Sequence, residues 1–164
     1  MKLNFAEEIQ SIGVLAPVDI VATATGTAYV EMAKIGSGQL EFDCFFGVVT
    51  STDSTGEVVV TAVTSTSGIS TDTDTAIAFN YRLSGAVGTD TMGAITAATS
   101  AGVGVVNTSD GKRLLVYVDP AVAQDHACRI VLTPTAETTV TNVAVTARFV
   151  PRYAQNALVD AVST

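Results

Sequence analysis

The stretch Thr75 to Leu83, TAIAFNYRL, sets the pattern for this chain. Ile77, Phe79, Tyr81 and Leu83 recur at every second position, with Ala76, Ala78, Asn80 and Arg82 between them. Successive side chains leave a strand on opposite sides, so this alternation predicts a strand with one buried face. Large side chains on one face and small or polar ones on the other imply a sheet that covers a core with one surface and meets something else with the other. Gln39 to Phe46 repeats the pattern, with Leu40, Phe42, Cys44 and Phe46 on one face and Glu41, Asp43 and Phe45 on the other. Thr139 to Val150 does so again, aligning Val143, Val145, Ala147 and Phe149. Glu57 to Thr64 is a run of high β-propensity, and Arg129 to Thr133 is a strand closed by Pro134.

The segments between are punctuated by turn residues. Asp53 to Gly56 reads as a turn, Ser65 to Thr75 as a polar loop and Gly85 to Gly93 as a glycine-marked loop. Two β-rich runs around Gly26, within Val18 to Met32, predict either a hairpin or one long bulged strand. Val103 to Asn107 and Lys112 to Asp119 flank Asn107-Thr108-Ser109-Asp110-Gly111, a hairpin signal. Ala94 to Thr99 fits a strand or an extended loop, and Asp119-Pro120 opens a short helical turn through Gln124. At the N-terminus, Asn4 and Glu7 form a capping pattern, Phe5, Ile9 and Ile12 recur at helical spacing, and Gly13 supplies a stop. A helix of about two turns cannot stand alone in water, so it must dock on its own domain or on a partner.

The sum is about eight to ten strands without βαβ alternation and without a fixed repeat. The fold class expected is all-β: an antiparallel sandwich, jelly-roll-like, with a short N-terminal helix or arm. The organisation expected is an arm over residues 1–17, a sandwich over 18–151 and a tail over 152–164.

Composition sharpens this picture. A chain of 164 residues is one domain by length, and can bury about 70% of its unfolded surface without a metal or disulfide staple. Hydrophobic residues make up 48% and charged residues 15%, many of the former being Ala and Val. These suit flat packed faces, with some apolar surface covered by a neighbour. The net charge of −8 repels phosphate backbones, so no direct nucleic-acid partner is expected. Glu7 and Glu8 interrupt any signal-peptide core, and no apolar run approaches a membrane span, so a protein made in cytoplasm and without a membrane partner is expected. Cys44 sits in an apolar strand pattern, and the spacing of Cys44 and Cys128 suggests no disulfide framework.

Candidate chemistry is thin. Asp125, His126 and Cys128 lie together, but His126 is the only histidine and a zinc site needs about four ligands. A polar turn entering the Arg129 strand is the simpler account of the cluster. Asp72 and Asp74 could offer oxygens to calcium, although the loop lacks the glycine and glutamate of an EF-hand. Gly36-Ser37-Gly38 and Gly102-Val103-Gly104 do not complete a dinucleotide fingerprint, and no P-loop or GxSxG occurs. No cofactor, metal or catalytic residue is therefore expected, and no enzymatic activity. Arg82 and Arg148 lie among small residues on the less apolar faces of strong strands, and Arg152-Tyr153 is a similar pair in the tail. A solvated face accounts for any one such arginine, but flat and partly polar interfaces use them too. Together with Phe5 and Ile9 of the arm, these are the candidate interface residues.

The segments MKLNFAEEI, AIAFNYRLSGAVGTDTMGAIT, DGKRLLVYVDP and FVPRYAQNAL together resemble small structural proteins of tailed bacteriophages, and more narrowly the capsid cement or decoration proteins. The resemblance runs over most of the chain. It implies a jelly-roll or related sandwich on the outer surface of the virion head, bridging capsomers, with the major capsid protein and its own copies as partners, as a homo-dimer or homo-trimer. It carries over no functional residue. Two other classes fit less closely. A tail or head-fibre subunit would favour visible repeats. A β-sandwich module binding a ligand would favour exposed aromatic platforms, whereas the chain has no Trp.

Overall fold

The computed structural model describes residues 9–21, 23–35, 39–66, 74–85, 91–106, 111–122, 127–135, 137–150 and 162–163. They form two antiparallel sheets packed face to face. The strands are β1 (Gln10–Val21), β2 (Thr25–Gly26), β3 (Tyr29–Glu31), β4 (Leu40–Phe45), β5 (Val49–Ser51), β6 (Glu57–Ser65), β7 (Asp74–Ile77), β8 (Phe79–Leu83), β9 (Thr96–Ala98), β10 (Val103–Val106), β11 (Arg113–Val118), β12 (Ala127–Pro134), β13 (Thr138–Phe149) and β14 (Val162–Ser163). A 3-10 turn, Met32–Lys34, follows β3.

Sheet 1 has the order β1-β13-β4-β11-β8-β9, with β5 also beside β13. Sheet 2 has the order β10-β6-β12-β3-β14, with β7 beside β6 and β2 beside β12. Along the chain, the path changes sheet at every connection except within the pairs β2–β3, β4–β5, β6–β7 and β8–β9. Four strands in the order β1-β13-β4-β11 thus face the order β3-β12-β6 with β7 and β10 beyond. This is the connectivity of a jelly roll, so the expected fold class holds.

The alternation read from the sequence is what builds the core. Leu40, Phe42 and Cys44 of β4, Leu114, Val116 and Val118 of β11, and Val58, Val60 and Ala62 of β6 are all fully buried. Cys128, Ile130 and Leu132 of β12 stand beside the β6 set in sheet 2 and are equally buried. On β13 the inward set runs Val143, Val145, Ala147 and Phe149, but Val140 is also buried, three residues earlier. A bulge resets the phase. Thr141 and Asn142 stand opposite the single residue Asp19 of β1, and Asn142 takes a left-handed φ of 52°. The Asp19 carboxylate accepts the Asn142 N–H at 2.9 Å, satisfying a donor that the bulge removes from the ladder. Gly47 closes the other side, where a Cβ would stand 2.4 Å from the Thr141 carbonyl oxygen.

Several local expectations are corrected. The helical turn expected from Asn4 to Gly13 does not run through its second half, because Gln10 onward is β1, laddered to β13 from Gln10–Phe149 to Val21–Thr139. Asn4 to Glu8, including Phe5, lie outside the described residues. The strand read through Thr75 to Leu83 is two strands: β7 pairs with β6 in sheet 2, Ala78 is the crossing, and β8 pairs with β11 in sheet 1. The runs around Gly26 are neither a hairpin nor one strand, since Val18 to Val21 belong to sheet 1 and β2 and β3 to sheet 2. β10 and β11 likewise do not form a hairpin with each other, because they lie in different sheets. After Asp119, Ala121 N–H is capped by the Asp119 carboxylate at 2.8 Å and residues 120–122 form a turn. In the tail, Val162 and Ser163 pair with Val30 and Tyr29 at the edge of sheet 2.

Candidate interaction face

The outer surface of sheet 1 gathers the polar half of the alternating pattern. Register places Ser11, Arg148, Glu41, Tyr117, Asn80 and Ala97 in one row across the strands. The next row holds Gly13, Thr146, Asp43, Leu115 and Arg82. Neighbouring charges close on one another. Arg148 donates from Nη1 to Glu41 Oε1 at 3.0 Å and from Nη2 to Asp43 Oδ2 at 2.7 Å. Arg113 donates from Nε to Asp43 Oδ1 at 3.1 Å, so Asp43 is shared between two guanidinium groups. Its hydrogen bond to Asp43 raises the pKa of Arg113 further above its ordinary value. The arginine side chains remain 46% and 39% exposed, so solvent screens these pairs and each contributes about 0–1 kcal/mol. Their effect is geometric: they hold a flat face of fixed charges, beside which Phe45 stands exposed.

At one end of this face lies an open groove of about 200 Å³. Ile9, Phe149 and Val150 line it together with Gln39, Glu41, Tyr117 and Arg148. Gln10 pairs with Phe149, so the chain enters sheet 1 and leaves it side by side, at this groove. Of the candidate interface residues, Ile9 and Arg148 thus come together. Arg82 sits two strands further across the sheet from Glu41, with its Nε donating to the Gly93 carbonyl oxygen at 2.8 Å. Phe5, Arg152 and Tyr153 lie outside the described residues. Sequence reasoning placed Glu41, Asp43 and Phe45 on one face but did not connect them to Arg148, and it passed over Arg113 and Tyr117. Strand register, which a single sequence does not carry, makes those connections.

Sheet 2 carries a second cluster on its outer face. Asp74 opens β7, accepting from Tyr29 Oη on Oδ1 at 2.7 Å and from Arg129 Nε on Oδ2 at 3.0 Å. The Arg129 guanidinium lies 4.7 Å from the Tyr29 ring centroid, a cation–π contact. Gly26 makes room for it, since a Cβ there would meet Arg129 Nη1 at 2.3 Å. Burial pushes the Tyr29 phenol up from its ordinary value, and the hydrogen bond to Asp74 adds to the shift. With both oxygens accepting hydrogen bonds from Tyr29 and Arg129, the Asp74 carboxylate anchors β7. Asp72 lies outside the described residues, as do Asp125 and His126. Cys128 points into the core and cannot join them as a ligand. Both Cys44 and Cys128 are free thiols, pushed up by burial, Cys128 to about 12. Among the described residues, no three His, Cys, Asp or Glu side chains gather to hold a metal, and no helix is long and apolar enough to cross a membrane.

No family model, curated protein or solved structure matches the chain. The fold and these two outer faces are therefore what any functional reading rests on.

Proposed function

We propose that this chain is a cement (decoration) protein, a virion structural protein that binds the outer surface of a tailed-phage head and bridges neighbouring capsomers. The observation that carries the reading is the meeting of both chain ends of sheet 1 at one groove. Ile9 and Val150 both line it, so the chain enters and leaves sheet 1 there, before its C-terminal end pairs Val162 and Ser163 with β3. Two segments anchored at one place on a compact block give two linked attachments, and linked attachments bind far more tightly than either alone. The groove between them offers apolar walls and the Arg148 guanidinium to a segment of the major capsid protein. The adjoining face, with its charges already paired, fits repeated protein contact better than it fits turnover of a substrate. Binding only to the assembled shell stabilises that shell by mass action, as any ligand stabilises the state it binds.

The test is co-sedimentation of the purified protein with expanded heads of the phage that encodes it. The full chain should pellet with heads and saturate. A chain lacking residues 1–8, and separately Val150→Asp at the groove rim, should lose most of that binding. A full chain that stays in the supernatant, or two variants that bind unchanged, would remove the proposal.

A further inference from the structure

A two-sheet sandwich has four edges, and this one treats them unequally. β1, at one edge of sheet 1, is blunted by Pro17, Asp19 and three register shifts against β13. β3, near one edge of sheet 2, is covered by β14. The other two edges run down a single flank. β9 ends sheet 1, β10 lies at the end of sheet 2, and the Thr99–Gly102 turn joins them, with Gly102 N–H donating to the Thr99 carbonyl at 3.0 Å. Natural edge strands carry lysine, proline, an inward charge or a bulge that discourages pairing with another chain. β9 is short, at three residues, but carries no lysine, proline, inward charge or bulge.

The flank is also neutral. From Thr91 to Val106 no side chain is charged, in a protein of net charge −8. Among the described residues two charges approach it, one of each sign: the Arg82 guanidinium held on the Gly93 carbonyl, and the Glu57 carboxylate lying over Gly104. Ala94, Thr96 and Ala97 are exposed, and Ile95 is 66% exposed, more than any other large apolar side chain among the described residues.

We infer that this flank is where two copies of the chain pair, β9 against β9 in antiparallel register about a two-fold axis, with Ile95 buried at the contact. A free strand edge presents alternating backbone donors and acceptors, so its natural occupant is another strand. A two-fold axis makes one strand self-complementary in the antiparallel sense. A second copy is the occupant that the charge distribution favours. Two molecules of charge −8 repel over most of their surfaces, and the neutral flank is their approach of least repulsion. The small residues beside Ile95 let the two edges come close. The inference names the contact between copies in the head-binding reading above, yet it is tested without heads. A monomer that still binds heads removes the edge pairing alone, and a dimer that ignores heads removes the head-binding reading alone.

The experiment is sedimentation equilibrium of the purified full chain over a wide dilution series, beside Ile95→Lys and Ala97→Asp. Both positions are exposed, so circular dichroism and melting temperature should stay those of the wild type. The wild type should have the mass of a dimer, and each variant half that mass at the same concentration. A monomeric or trimeric wild type, or a dimer whose mass neither substitution changes, overturns the proposal.

Discussion

Asp74→Ala tests the cluster on the outer face of sheet 2. The Arg129 and Asp74 side chains are only 13% and 14% exposed, and they hold the first residue of β7 against β12 through β6. Removing the carboxylate strips Arg129 of two donor contacts and Tyr29 of its acceptor, at a site with little access for water. Breaking a buried pair from one side costs about 3–5 kcal/mol, because the remaining charge stays buried and uncompensated. Partial exposure and the Tyr29 ring at 4.7 Å ease that penalty, so a loss of about 3 kcal/mol is expected. Replacing both partners, as Asp74→Ala with Arg129→Met, leaves no orphaned charge and should recover most of the loss. Urea unfolding followed by circular dichroism reads both variants, with a midpoint shift at unchanged slope marking a change in stability. A single variant that loses less than about 1 kcal/mol, or a double variant no more stable than the single, would refute the claim that this pair is a desolvated anchor.

Other perturbations read other parts of the fold. Phe42 is fully buried between the sheets, and Phe42→Ala should cost about 3–5 kcal/mol in the same unfolding assay. Gly47→Ala places a Cβ 2.4 Å from the Thr141 carbonyl and should lower the melting temperature, while Asn142→Gly, which relieves a left-handed φ, should leave it unchanged or raise it. Cys44 and Cys128 both have raised thiol pKa values in the folded chain. Their contribution to stability is complete below the unfolded thiol value of about 8.5. It declines as pH rises, because the unfolded chain ionises first, and for Cys128 the decline continues to about 12. Comparing unfolding midpoints at neutral and alkaline pH should therefore show a fall in the wild type that is smaller in the double variant Cys44→Ala with Cys128→Ala.

Most of the fold was legible because one physical signal, period-two burial, covers it. β4 and β13 stand where the alternation put them, and β6 and β12 where β-propensity and Pro134 put them, within a residue or two at their ends. The misreadings have particular causes. Ile77 and Phe79 belong to different sheets yet face the same core, so the alternation runs unbroken across the crossing at Ala78 and conceals it. Phe5, Ile9 and Ile12 fit a helix locally, but twelve residues of β1 gain a ladder on β13 that no local pattern reveals. The turn signal at residues 107–111 suggests a hairpin because turn chemistry does not distinguish a reversal within one sheet from a passage to the other. The outer face was legible as a list of polar positions only. The shared role of Asp43 between Arg113 and Arg148 depends on the register of three strands, and the groove depends on the pairing of Gln10 with Phe149.

The head-binding reading is tested most directly by the thermal release of packaged DNA from heads stripped of this protein, with and without the purified chain added back. A dye that reports released DNA gives the midpoint. The account predicts a higher release temperature on addition, saturating at a fixed number of copies per head. Release at the same temperature, with the added chain left in solution, would contradict it.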